Sequence, residues 1–309
     1  MLKYMIVQLC DTSASFCHYP NTRAERKLIS VEALRKALRM AMCENMTVQF
    51  LYPDYALPSE YVELIESVDH AKVAPVGVTD EADIVVLPSL DRADEVKEGD
   101  TVCVRISRAE LCDSVEALSA LLRRVTRLNV SLTDSHTAVP EELPAYADAL
   151  DRLGETVKEE YARGHFVQLN LLTDRLMLKQ MNNCNAGAET VTLAPDGKFY
   201  ICPAFYLEGD SPVGDPDAGI EVPNAQLYAL SHAPICRSCD AWHCRRCVWL
   251  NRKRTLEVNT PGRGQCLTAH AEREASRRLK ERMDAAAPGN MFNEIEKLDY
   301  TDPFEKVSR

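Results

Sequence analysis

The chain holds no run of about 18 apolar residues, the length a membrane-crossing helix requires. Its opening stretch, Met1-Leu2-Lys3-Tyr4-Met5-Ile6-Val7-Gln8-Leu9, is too short for the apolar core of a secretory signal with its cleavage site. Neither an internal repeat nor a low-complexity tract interrupts the sequence, so it reads as one large or two ordinary globular domains. Positive charge is in deficit as well: a net charge of -11 disfavours non-specific nucleic-acid binding. These absences lead to the expectation of a cytoplasmic protein with neither a membrane nor a nucleic acid as partner. In that reducing compartment twelve cysteines read as metal ligands and buried apolar residues rather than as disulfides.

Cysteine is what the chain does have, and seven of the twelve crowd residues 184–266. Cys184 is followed by Gly197-x4-Cys202, then by Cys236-x2-Cys239-x4-Cys244-x2-Cys247, and last by Cys266. A zinc ribbon or finger usually places a dozen or more residues between its two ligand pairs, whereas four separate Cys239 from Cys244. Such compression suits iron-sulfur ligation or two metal sites sharing one knuckle, with zinc as the alternative. Before Cys202, Val191-Thr192-Leu193 alternates, Ala194-Pro195-Asp196-Gly197 turns and Lys198-Phe199-Tyr200-Ile201 returns. This hairpin should bring Cys202 back beside Cys184.

Upstream, short β-type runs alternate with amphipathic helical ones. Residues 4–9, 47–52, 71–74, 83–87, 101–106, 129–133 and 166–170 read as strands, rich in Val, Ile, Leu and Phe. A helix opens at Ser30-Val31-Glu32 with Leu34, Leu38 and Ala41 on one face and Arg35, Lys36 and Arg39 on the other. Residues 59–67, 114–125 and 140–163 also fit helices. Near-continuously apolar strands joined by helices argue for an α/β fold with a parallel sheet covered on both faces. Six or seven such units make an open or partial barrel; a flat doubly wound sheet fits the periodicity equally. Three parts are expected: an α/β partial barrel over 1–180, a cysteine-rich module over 181–268, and a charged, largely solvated helix ended by Pro288-Gly289, with a loose tail, over 269–309.

The cysteine pattern resembles the SPASM domain, the C-terminal extension of many radical S-adenosylmethionine (SAM) enzymes that modify peptides. That pattern is a cysteine, a GX4C, a CX2CX5CX3C knuckle and a last cysteine; here each of the last two knuckle gaps is one residue shorter. The resemblance covers about residues 182–268. It implies a partial (β/α) barrel of the radical SAM type followed by a small SPASM-like domain with one or two auxiliary 4Fe-4S clusters. It assigns Cys184, Cys202 and Cys247 to the first cluster and Cys236, Cys239, Cys244 and Cys266 to the second. Seven thiolates leave two clusters one ligand short, a place open to water or to a donor such as His243.

Radical SAM enzymes also carry CX3CXφC after their first barrel strand, φ being aromatic. Cys10, Phe16 and Cys17 stand at the matching places, but the middle position is Ala14. The Gly-Gly-Glu-Pro motif expected after the second strand is replaced by Phe50-Leu51-Tyr52-Pro53-Asp54-Tyr55. Both departures argue against ordinary reductive cleavage of S-adenosylmethionine. His18 is a candidate replacement ligand, so Cys10, Cys17 and His18 are the cofactor-site candidates, beside the plainer reading that they line or fill a divergent barrel. With Asp11-Thr12-Ser13 and Ser15-Phe16-Cys17-His18-Tyr19 at its start, the chain resembles the CXXX repeat peptide maturase family. That resemblance implies maturation of a ribosomally made, cysteine-containing precursor peptide, with an electron donor or partner maturase.

Polar residues at strand ends are further candidates, because α/β folds bind ligands there: Asp11, Thr12, Ser13 and Ser15, then Asp54 and Tyr55, then Asp134, Ser135 and His136, then Asp174 and Arg175. Trp242 and Trp249 bracket the knuckle and suit either shielding of a cluster or simple packing. The basic run Arg245, Arg246, Arg252, Lys253 and Arg254 reads as a solvated face, with attraction of an acidic leader peptide or stabilisation of the negative charge of a thiolate cluster as the alternatives. Cys43, Cys103 and Cys112 read as buried apolar residues. Three functions remain in competition: an iron-sulfur peptide maturase, a non-catalytic protein that binds the precursor, and a zinc-stabilised hydrolase or transferase.

Overall fold

The computed structural model describes residues 2–181, 184–286 and 292. Eleven strands lie in the described chain: β1 (Tyr4–Gln8), β2 (Thr47–Leu51), β3 (His70–Pro75), β4 (Ile84–Leu87), β5 (Thr101–Ile106), β6 (Arg127–Leu132), β7 (Gln168–Leu169), β8 (Thr190–Leu193), β9 (Phe199–Tyr200), β10 (Gly214–Asp215) and β11 (Gly219–Ile220). The α-helices are α1 (Val31–Cys43), α2 (Ser59–Ile65), α3 (Arg108–Asp113), α4 (Val115–Leu122), α5 (Leu143–Ala162), α6 (Thr173–Met177), α7 (Pro203–Leu207), α8 (Val248–Thr255) and α9 (Arg263–Ala286). The chain forms two compact units, one of residues 1–105 with 184–232 and one of residues 106–183 with 233–309.

In the first unit the strands run in the order β11-β10-β9-β8-β1-β2-β3-β4-β5. From β8 to β5 every neighbouring pair is parallel, and β9, β10 and β11 continue the edge as antiparallel strands. Val7 of β1 stands opposite Phe50 of β2 on one side and Leu193 of β8 on the other. Met5, Val7, Phe50, Val73, Val102, Val104, Val191 and Leu193 are wholly buried, as strands covered on both faces require. Helix α1 begins where Ser30 accepts a hydrogen bond from the Ala33 amide at 3.2 Å, and it buries Leu34, Ala37, Leu38 and Ala41 along one stripe. The hairpin read from the sequence forms as β8 and β9, with Leu193 opposite Phe199. The result is a mixed α/β fold with a large, predominantly parallel sheet.

The second unit pairs β6 with β7 in parallel and packs α5 against α9. Here the structure corrects two expectations. Helix α3 precedes the expected 114–125 helix, started by a capping box in which Ser107 and Glu110 bond each other's backbone amides. Helix α9 starts at Arg263 rather than near Thr268, and it is no solvated helix: Cys266, Thr268, Ala269, Glu272, Ala275, Ser276, Leu279 and Met283 are buried. Two of its buried hydroxyls are satisfied, Thr268 donating to the Ser135 carbonyl at 2.9 Å and Ser276 to the Leu172 carbonyl at 2.7 Å. Its charges are matched as well, Arg278 meeting Asp151 of α5 at 2.9 Å. The expected stop at Pro288-Gly289 and the tail beyond lie outside the described residues. A further correction concerns Cys43, which is exposed because it ends α1 off the buried stripe; Cys103 is buried as expected.

At the start of α9, Gly264 passes so close to the backbone that a Cβ there would lie 2.4 Å from the His136 carbonyl oxygen. Backbone cannot swing away as a side chain does. Gly264→Ala is expected to destabilise the protein by about 1–3 kcal/mol, the usual cost of overpacking, seen as an earlier midpoint in urea denaturation.

Candidate functional site

The loop after β1 is tied to the end of β2. The Cys10 amide donates to Ser13 Oγ at 3.0 Å, Ser13 Oγ donates to the Leu51 carbonyl at 2.7 Å, and the Ala14 amide donates to the Tyr52 carbonyl at 3.1 Å. Asn21 closes the loop, its amide nitrogen donating to the carbonyls of Asp11 and Ser13 at 2.7 and 2.9 Å. Cys10 is wholly buried, with its sulfur 3.3 Å from the Tyr55 hydroxyl and 3.4 Å from Thr12 Oγ1. Ala14 and Phe16 pack against the apolar cluster of Ile6, Leu51, Val73, Val86 and Cys103. The position where the radical SAM motif has its middle thiolate is therefore given over to core packing.

Asp11 is the best-held polar residue of this loop. Its carboxylate is 3% exposed and accepts from the Tyr206 hydroxyl at 2.6 Å and from Arg23 at 3.1 Å. The Arg23 guanidinium lies 4.3 Å from the centre of the Tyr206 ring and also donates to the Tyr206 hydroxyl and carbonyl, at 3.0 and 3.2 Å. Burial raises the Tyr206 pKa, and the Asp11 carboxylate raises it further. Neither Arg23 nor Tyr206 stands out in the sequence; a cross-loop partner for Asp11 has no local signature. Asp54 bonds Thr12 at 3.4 Å and meets Arg26 at 3.7 Å, while Arg26 covers the Tyr55 ring at 4.6 Å.

Cys17 and His18 follow on the same loop, half-buried. The Cys17 carbonyl accepts from Arg105 Nε at 2.7 Å, and the Phe16 carbonyl accepts from the Cys103 thiol at 3.1 Å. The first unit also carries Cys184 and Cys202. Burial pushes the Cys202 thiol well up, the thiols of Cys184 and Cys17 push it further, and the amides of Phe205 and Ala204, bonded to its sulfur, oppose them.

In the second unit Cys236, Cys239, Cys244 and Cys266 all line one cavity of about 290 Å³. Most of the remaining lining is apolar, from residues such as Met181, Ile235 and Ala269. Among the described residues no group of three or more His, Cys, Asp or Glu side chains is gathered around a single-ion position. The cavity is many times the ~30 Å³ share of one water molecule, so four thiols around it suit a polynuclear cluster better than one ion. Its backbone geometry agrees: the Ala241 amide donates to Cys239 Sγ at 3.4 Å and the Arg246 amide to Cys244 Sγ at 3.5 Å. Burial pushes the Cys236 thiol up to about 11, against the lowering effect of Arg246. Burial likewise holds Cys244 well above the usual thiol range. A metal centre would have to displace these protons and would offset the cost of burying thiolate charge.

Of two further residues at this cavity, Arg246 was placed beside a cluster only as an alternative and His270 escaped sequence reasoning. Arg246, expected on a solvated face, is 5% exposed, has left-handed backbone at φ 40°, and lines the cavity. His270, one turn after Cys266 on α9, also lines it, with Nε2 3.8 Å from Cys239 Sγ. The i, i+4 spacing of Cys266 and His270 was the available signal. His243 instead turns to Glu272, its Nε2 3.1 Å from Glu272 Oε2, and Tyr146 donates to the other oxygen of that carboxylate at 2.7 Å. The knuckle is anchored by Asp240, which accepts from Arg175 at 2.8 Å and from Arg273 at 3.1 Å. Asp174 pairs with Arg127 at 2.7 Å and Asp134 accepts from the Arg108 amide at 3.0 Å. These strand-end residues thus serve structural pairs.

Compared with solved structures, the chain matches anSMEcpe with bound AdoMet and Cp18Cys peptide at a TM-score of 0.61, over 93% of this chain and 100% of that one, at 12% identity. At that identity the match shows a shared fold. The same protein with AdoMet and Kp18Cys peptide matches at 0.57, over 92% and 99%, again at 12% identity. SuiB of Streptococcus suis bound to precursor peptide SuiA matches at only 0.42, over 69% and 62%, at 13% identity. No protein-family model matches the sequence, and no curated protein does. Among the described residues no helix is long and apolar enough to cross a membrane.

The Asp11 cluster sets a pH dependence. The folded state favours the protonated phenol of Tyr206, so its contribution is complete below the unfolded tyrosine pKa of about 10 and is lost as pH climbs toward the raised folded value. Urea denaturation between pH 8 and 11 is expected to show stability falling with pH, and Tyr206→Phe is expected to flatten that fall while lowering stability at pH 8.

Proposed function

We propose that the protein takes part in maturing a ribosomally synthesised, cysteine-containing peptide, as an iron-sulfur protein of the radical SAM/SPASM type. The observation that carries this reading is the single cavity lined by Cys236, Cys239, Cys244 and Cys266. In this reading those four hold a four-iron cluster within a SPASM-like module at 181–268, behind a partial barrel at 1–180. Bound there, the cluster supplies one-electron transfer. The chain's own residues exclude water with the apolar lining, donate backbone amides to the sulfurs, and offset thiolate charge with Arg246. Peptide binding is supported by the fold shared with anSMEcpe, whose structures hold AdoMet and a peptide.

A second reading has its own support. Ala14 packs against the apolar cluster and the Cys10 sulfur contacts Tyr55 and Thr12, an arrangement better suited to a polar pocket than to a three-thiolate cluster. On this view Cys10, Cys17 and His18 no longer serve S-adenosylmethionine, and the barrel binds the precursor and hands it to a partner maturase.

Anaerobic reconstitution with ferrous iron and sulfide tests both. Roughly eight irons per chain are expected, two four-iron clusters, with Cys236→Ala losing about half. A precursor mass change with S-adenosylmethionine and reductant selects the maturase; tight precursor binding without a mass change selects the binding protein. Zinc alone, with neither binding nor mass change, sinks the proposal.

A further inference from the structure

Helix α9 carries Cys266 and His270 one turn apart, so both side chains leave the same face, and both line the cavity together with Cys236, Cys239 and Cys244. His270 Nε2 lies 3.8 Å from Cys239 Sγ, within hydrogen-bonding range for sulfur. The same sulfur receives the Ala241 amide at 3.4 Å. Cys239 is thus approached from two elements, by a backbone N–H of its own loop and by an imidazole from α9. Gln265, another polar residue of the lining, is occupied elsewhere: its Oε1 accepts from the Gly262 amide at 3.1 Å and its Nε2 donates to Asn251 at 3.2 Å.

The position of the imidazole is fixed by its neighbours on the helix. Asp240, next to Cys239, accepts from Arg273 of α9 at 3.1 Å, and His243 Nε2 lies 3.1 Å from Glu272 of the same helix. On the other side of His270, Thr268 donates to the Ser135 carbonyl at 2.9 Å. Anchors at 268, 272 and 273 leave the turn that carries His270 no freedom to rotate, and the last two set the distance between helix and knuckle that the imidazole spans. Thiolate sulfur bound to iron has lost its proton and can only accept, so the imidazole must present Nε2–H to it. Such a bond draws electron density from the sulfur and favours the reduced, more negative cluster, which raises its reduction potential.

We propose that His270 is a positioning residue for the cluster of this cavity, its Nε2–H donating to the Cys239 thiolate and raising the cluster's reduction potential. The proposal rests on the iron-sulfur reading above and extends it from the ligands to the control of electron transfer. His270 stays outside the coordination of iron, which the four thiolates complete. On ligation the Cys239 thiol gives up its proton, and the imidazole changes only its hydrogen bond.

The test is a redox titration, followed by electron paramagnetic resonance, of full-length protein reconstituted anaerobically with ferrous iron and sulfide. The signal missing from Cys236→Ala identifies the cluster of this cavity. His270→Phe is expected to keep the wild-type iron content and to lower that cluster's midpoint potential by about 59 mV or more, a tenfold change in a one-electron couple. His270→Gln, which keeps an N–H at similar reach, is expected to restore most of the wild-type value. Full iron with an unchanged potential in His270→Phe overturns the donor role and leaves the cluster standing. Loss of this cluster from both variants overturns it as well, since ligation does not require the donor. Wild-type protein that takes up no iron overturns the iron-sulfur reading itself, and this role with it. Pulsed resonance on the reduced wild-type protein, grown with isotopically labelled histidine nitrogen, needs no variant to fold. A weakly coupled histidine nitrogen is expected at this cluster; a strongly coupled one, as from imidazole bound to iron, or none at all contradicts the assignment.

Discussion

The pairing of β8 along β1 is the constraint on which the first unit depends. Strand β1 is the hub, parallel to β2 on one side and to β8 on the other, with Val7 flanked by Phe50 and Leu193. A strand formed some 180 residues later thus becomes a direct neighbour of the first. Such a long-range parallel pair carries a large loop-closure cost, met by apolar side chains buried on both faces. Its consequence is chemical, because the turn after β9 delivers Cys202 and Tyr206 to the loop that β1 opens. The Asp11–Arg23–Tyr206 cluster exists only through that register.

The two units solve different problems with cysteine. In the first, cysteines from segments far apart in sequence, Cys10 and Cys17 after β1 and Cys202 after β9, belong to one unit, and the Cys17 carbonyl is held by Arg105. In the second, four of the five cysteines from the knuckle onward close around a cavity within about thirty residues of chain, and the scaffold is ionic: Arg175 and Arg273 hold Asp240 between Cys239 and Ala241. Buried carboxylates paired with arginine are costly to assemble and costlier to break, so they fix one backbone path for the knuckle. Helix α9 contributes to both the cavity, through Cys266 and His270, and the scaffold, through Arg273 and Glu272.

Much of the first unit was legible from periodicity. The strands at 4–9, 47–52, 71–74, 83–87 and 101–106 appear within a residue or two of their expected places, and α1 begins at the expected Ser30 cap. The hairpin before Cys202 was legible from Pro195-Asp196-Gly197, whose turn chemistry is local. Helix α9 was misread because counting charges assumes that charge means solvent. Its arginines and glutamates find partners on α5 and the knuckle, which no single-helix pattern encodes. For the same reason a solvated face was the favoured reading of Arg246, and a place beside thiolates only its alternative.

By itself, then, the sequence determined the order of strands and helices, the α/β class and the number and spacing of cysteines, since these follow from local periodicity, turn residues and covalent order. Only the tertiary structure decided which sulfurs face which groups. Ala14 packs against an apolar cluster, Cys10 contacts Tyr55, and four knuckle-region thiols share one cavity while His243 turns to Glu272. Those outcomes depend on strand register and helix packing between segments distant in the chain, and spacing along the chain carries no record of distance across it.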